Sequence, residues 1–152
     1  MNDPMAEIAE RLKRLGSRIP NEVELGYHLC YGDAGHQHFV EPSDMQLLVD
    51  VAGNLVADLN RPLNWLHMPV PQGRLDEDYF APARHLRLAE TTELYLGLVH
   101  VSDGVAGAEA RIRAATKHIA RFGVATECGF GRRAPDTVTG LLQIHEEIAS
   151  PR

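Results

Sequence analysis

The sequence predicts an α/β fold, a parallel sheet covered by helices, and three observations carry that reading. Four short apolar runs alternate with four segments of helical periodicity, after one leading helix. The runs lack the in-and-out alternation of a sheet with one wet face, which points to parallel strands beneath packed helices. Each run also stops at polar residues or glycine. Connections of this kind are right-handed, so the four strands should curve together in sequential order. Two closures are open at this point: a small open sheet, or half of an eight-stranded barrel.

The leading segment PMAEIAERLKRLGSRIP puts Ile8, Leu12, Leu15 and Ile19 at helical spacing and ends at Gly16 and Pro20, so residues 1–20 are read as a helix. Residues 21–152 are read as the strand-helix domain. VELGYHLCYGD is a buried strand delivering polar residues at its end. PSDMQLLVDVAGNLVADLN offers Ser43 and Asp44 as caps and sets Leu48, Val51, Ala52, Leu55 and Leu59 on one helical face. PLNWLHMPV is a second strand bounded by Pro62, Pro69 and Pro71. From Gln72 the chain is loop-like and acidic, with a short helix fitting Tyr79 to Leu88. LYLGLVHVSDG is the clearest strand. The helix after it places Ala108, Ile112, Ala115 and Ile119 on one face and stops at Gly123. FGVATECGFGRR is the fourth strand, and residues 135 to 149 make the closing helix.

With 152 residues the chain fits one domain with a real core. Its net charge of −6 argues against a nucleic-acid footprint, and Arg111, Arg113 and Arg121 read as a solvated helix face. No apolar run approaches the roughly 20 residues that cross a bilayer, and no signal-peptide pattern opens the chain. A cytoplasmic protein with two free thiols, without membrane or nucleic-acid partners, is expected.

All four strand exits carry polar groups: His28, Cys30 and Asp33, then His67, then His100 and Asp103, then Glu127 and Cys128. Active sites of parallel α/β folds are built at this end of the strands. His28 and Cys30 are two apart on a strand and so share a face. With Cys128 they make a three-ligand set for zinc, and His67 is a candidate fourth. Against this stands the ordinary reading of a buried cysteine as a small hydrophobe. His36 and His38 are read as a polar loop. His100, with Asp103 to orient it, is the candidate general acid or base. Asp33 is a candidate substrate ligand, and Arg132 and Arg133 can bind an anionic group or simply solvate a loop. Glu127 should point away from Cys128 and so share no ion with it.

Taken in order, YHLCYGD, LNWLHMPV, LYLGLVHVSDG and VATECGFGRR resemble the C-terminal half of the catalytic barrel of the cobalamin-independent methionine synthases and their relatives. The resemblance runs from about Val23 onward. It implies four strand-helix units forming half of a TIM-type (β/α)8 barrel, preceded by the N-terminal helix. It further implies zinc on His28, Cys30 and Cys128, a small-molecule thiol substrate, a folate methyl donor, and a proton-handling role for His100. The sequence departs from the family at His67, which stands where the family has a zinc-binding glutamate. A complete barrel takes around 250 residues, so a homodimer, a partner chain supplying the other half, or a truncated product is expected. Alternatives are a non-catalytic barrel subunit and a metal-free lyase like uroporphyrinogen decarboxylase.

Overall fold

In the computed structural model, which describes residues 4–32, 38–57 and 59–149 apart from the side chains of Pro4 and Arg132, four parallel strands lie in sequential order. They are β1 (Gly26–His28), β2 (Trp65–Pro69), β3 (Glu93–Val99) and β4 (Gly123–Thr126). Among the described residues five α-helices accompany them: α1 (Pro4–Gly16), α2 (Gln46–Ala57), α3 (Glu77–Phe80), α4 (Gly104–Ala115) and α5 (Pro135–Ala149). Two 3₁₀ turns, Ala81–His85 and Phe130–Arg132, complete the regular structure described.

Period-two alternation divides each strand between two faces. Leu66, Met68, Leu94, Leu96 and Leu98 are buried in one core cluster with Leu48, Val49 and Ala52 of α2, Tyr79 and Phe80 of α3, and Ala114 and Ala115 of α4. A smaller cluster joins Val99, Ala108 and Leu141, seating α5 on α4 and the end of β3. The opposite face carries Trp65, His67 and Tyr95. Parallel register aligns His28 with His67, His67 with Tyr95, and Tyr95 with Gly123, so these four residues form one row across the sheet.

The sheet is strongly coiled. In a flat sheet, strands about 4.8 Å apart would hold β1 and β4 roughly 14 Å from each other. Yet Cys30 Sγ, just past β1, lies 3.8 Å from Cys128 Sγ, just past β4. His67 of β2 likewise reaches over β3 to the Thr126 carbonyl, 3.0 Å away. Gly97 permits the crossing: a Cβ there would stand 2.6 Å from Glu127 Cα and 3.1 Å from its backbone nitrogen. A backbone atom cannot swing aside as a flexible side chain can. A register shift between Leu96 and Val99 adds local twist at the same place.

The N-terminal helix is fastened to the sheet. Tyr27 Oη donates to the Leu12 carbonyl at 2.7 Å, and the buried Arg61 guanidinium donates to the carbonyls of Ile19 at 2.6 Å and Pro20 at 2.8 Å. Those bonds satisfy backbone acceptors of the turn that leads from α1 toward β1.

The structure differs from the sequence reading in four places. β1 is only three residues long, because the chain leaves the ladder after Leu29, whose N–H still reaches the His67 carbonyl at 3.0 Å. The stretch after Gln72 holds α3, capped by Asp76 accepting from Tyr79 N at 2.9 Å, followed by a 3₁₀ turn. α4 ends at Ala115, and Gly123 opens β4 instead of stopping the helix. Arg111, expected on a solvated face, is fully buried. Its guanidinium donates to the carbonyls of Leu98 at 2.8 Å and Gln72 at 2.7 Å, and forms a two-pronged pair with Asp103 at 2.7 and 2.8 Å. Burying that charge is tolerable only because its donors find acceptors.

Substituting Gly97→Ala should lower stability by about 1–3 kcal/mol, the usual cost of overpacking, read as a fall in the urea midpoint. An unchanged midpoint would mean that the β4 exit does not lie against β3 as described.

Candidate metal centre

Two strand exits supply the centre. His28 ends β1, Cys30 follows two residues later, and Cys128 follows β4 by two residues. Among the described residues these three form one group of metal-competent side chains whose ligand atoms all lie within 4.8 Å of one another. Both cysteines are reduced; Cys30 is exposed and Cys128 half-buried. The sulfur spacing is informative: two thiolates each about 2.3 Å from a tetrahedral zinc stand about 3.8 Å apart. The observed separation is 3.8 Å.

His67 sits beside this group and not within it. The two histidine rings are nearly parallel, 26° apart with centroids 4.7 Å apart, and they meet through their Nδ1 atoms at 2.7 Å. The Thr126 carbonyl can only accept, so the proton of His67 is on Nε2. Burial, aided by the charge of His28, pushes the His67 pKa down to about 4. It is therefore neutral near pH 7 and its Nδ1 accepts. His28 Nδ1 must then donate, and in neutral His28 the lone pair is on Nε2. The fourth-ligand candidate of the sequence thus meets the first through a hydrogen bond between ring nitrogens.

A cavity of about 530 Å³ adjoins the centre, lined by His38, Glu41, His100, Ser102, Glu127, Cys128 and Arg133, among others. Glu127, just beyond the strand, lines this cavity. Its Oε1 accepts from His38 Nε2 at 2.7 Å, and its Oε2 stands 3.8 Å from His100 Nδ1. His38 also lies 3.0 Å from Glu41 through Nδ1. Burial opposes a charge on His38, but the two carboxylates outweigh it and hold its pKa above the ordinary imidazole value. His100 behaves oppositely. Burial, with Arg111 adding to it, lowers its pKa to about 4, and its Nε2 donates to the Val70 carbonyl at 2.9 Å. Near neutrality it is a proton acceptor through Nδ1.

Asp103 does not orient His100 by hydrogen bonding. Its carboxylate is engaged by Arg111, and although burial would raise its pKa, those bonds hold it below the usual carboxylate value. The nearest described carboxylate to His100 Nδ1 is Glu127. Asp33 and His36 lie outside the described residues, as does the side chain of Arg132; its neighbour Arg133 lines the cavity. The contact of His38 with Glu127 is the feature of the cavity that sequence reasoning missed. Nothing local marks their pairing, because the contact spans 89 positions. A second, more apolar hollow of about 450 Å³ lies on the Trp65, Tyr95 and Ala125 side of Cys128.

Comparison of the chain with known protein families, with curated proteins and with solved structures finds no match. No helix among the described residues is long and apolar enough to cross a membrane.

His67 and His100 make stability depend on pH. Each titrates near 6.5 when unfolded and about 4 when folded, so between those values the unfolded chain binds more protons. Their contribution is complete above about pH 6.5 and is lost as pH falls toward 4. The urea midpoint should therefore drop across this window, and less steeply in His67→Gln/His100→Gln. A midpoint equally steep in that variant would assign the acid sensitivity to other groups.

Proposed function

We propose that this chain is half of a TIM-type barrel of the methionine synthase kind, with a zinc site on His28, Cys30 and Cys128 that serves alkyl transfer to a thiol. The observation that carries the proposal is the convergence of three ligand atoms within 4.8 Å, including two sulfurs 3.8 Å apart. Two cysteines that the sequence separates by 98 positions meet at the one spacing a tetrahedral dithiolate requires. Zinc held by these residues would supply Lewis acidity, lowering the pKa of a substrate thiol.

The remaining work falls to side chains of the cavity. His28, its tautomer set by His67, and the two cysteine thiolates give a site in which ligand charge balances that of the ion. His100, neutral and with Nδ1 facing Glu127, accepts the proton released by the substrate thiol. His38, its pKa raised by Glu41 and Glu127, offsets the carboxylates when protonated and so lessens repulsion of an anionic thiolate. Arg133 is placed to meet an acidic group of the substrate. A folate can serve as methyl donor, in line with the family the sequence resembles. Among the described residues the helices pack on the Leu66 and Leu96 side of the coiled sheet, and four more parallel strands from a second copy or a partner chain would close a ring over Trp65 and Tyr95. Reduced thiols at the site suit a cytoplasmic setting.

Metal analysis of protein purified without chelator should give about one equivalent of zinc, falling to about a tenth or less in Cys128→Ser. A folded, reduced wild-type sample at that lower level would refute the site. His67→Ala should weaken zinc binding roughly 10–100-fold, as loss of an orienting partner does, measured by competition with a chromogenic chelator. Unaltered affinity would mean that His67 does not set the His28 tautomer.

A further inference from the structure

The two cysteines are also suited to a reaction with each other. Their sulfurs are in contact at 3.8 Å, and pairing requires a shortening to about 2.05 Å. Neither residue is tied into the ladder: β1 ends at His28 and β4 at Thr126. Their side chains can close the gap without breaking strand pairing. The two thiols differ in access, since Cys30 is exposed while Cys128 is half-buried in the walls of both cavities. That arrangement resembles a peroxide-accessible thiol with a resolving thiol behind it.

We propose that Cys30 and Cys128 form a reversible intramolecular disulfide on exposure to a hydroperoxide, making this rim a redox modification site. Cys30 sulfur attacks the peroxide, an S–O bond forms as the O–O bond breaks, and one water or alcohol leaves. Cys128 sulfur then attacks the resulting sulfenic acid, an S–S bond forms as the S–O bond breaks, and a second molecule, water, leaves. The two thiols are oxidised by two electrons in total and the peroxide is reduced by two. The disulfide would staple the exits of the first and last strands. It would also remove two of the three metal ligands, a consequence that rests on the zinc reading, whereas the disulfide itself does not.

The test starts with metal-free protein treated with hydrogen peroxide and followed by intact mass, thiol titration and peptide mapping. Both thiols should vanish together, with the loss of two hydrogens and a cross-linked peptide pair containing Cys30 and Cys128, and dithiothreitol should restore them. Cys30→Ser should show no such loss and keep Cys128 as a thiol or a singly oxidised form. Oxidation of Cys30 to sulfinic acid in wild-type protein, with Cys128 still reduced, would overturn the proposal. In zinc-loaded protein, zinc release should track disulfide formation one for one. A disulfide forming in protein that never binds zinc would leave this proposal standing and remove the zinc reading. Zinc retained through complete disulfide formation would overturn the claim that pairing empties the site.

Discussion

The close backbone approach at Gly97 is the constraint on which the rest of the site depends. With no side chain at that position, the chain leaving β4 folds inward across β3, bringing Glu127 Cα to within 2.6 Å of where a Cβ would stand. Three contacts follow from this one crossing. The Thr126 carbonyl reaches His67, Cys128 reaches Cys30, and Glu127 enters the cavity that holds His38 and His100. The first two join residues from strands that are not neighbours in the sheet, and Glu127 also reaches His38, from the loop beyond β1. A bulkier residue at position 97 would press on backbone, and interiors packed at crystal-like density have little room to relax.

Burial and charge then divide the histidines into roles. His67 and His100 are buried, each donating from Nε2 to a carbonyl, and both are neutral near pH 7. His38 lies between two carboxylates and holds its proton more tightly. One ring type thus occurs on one rim with its proton affinity shifted in opposite directions. Arg111 supports the arrangement from beneath. It ties α4 to β3 and to the loop at Gln72, and it takes the carboxylate of Asp103 out of play for His100.

The two faces of the sheet have different fates, and topology is the reason. Sequential parallel strands joined by right-handed crossovers send every connecting helix to the same side. That side is filled by Leu66, Met68, Leu96 and Leu98, all with no exposed surface. The other side bears His28, His67 and Tyr95 in a register row and curls around the hollow beside Cys128. Histidines and cysteines collect there because the helix-facing positions are taken by aliphatic side chains.

By itself the sequence determined the α/β class, the number and order of the strands, and the pairing of His28 with Cys30, because periodicity and chain punctuation are local properties. It also placed Cys128 on the same rim, through the shared polarity of strand exits. Element ends were less legible: β1 is shorter than its apolar run and Gly123 begins a strand, since ladder bonds and not hydrophobicity set those limits. A charged residue such as Arg111 gives no local sign that backbone carbonyls and Asp103 will satisfy it inside the core. Only the tertiary structure decided the parts of the rim. It set His67 against His28, gave Glu127 the place beside His100 that Asp103 was expected to hold, and drew His38 into the cavity. These outcomes arise from coiling of the sheet, which brings together side chains from distant strands, and no local pattern encodes how far a sheet will coil.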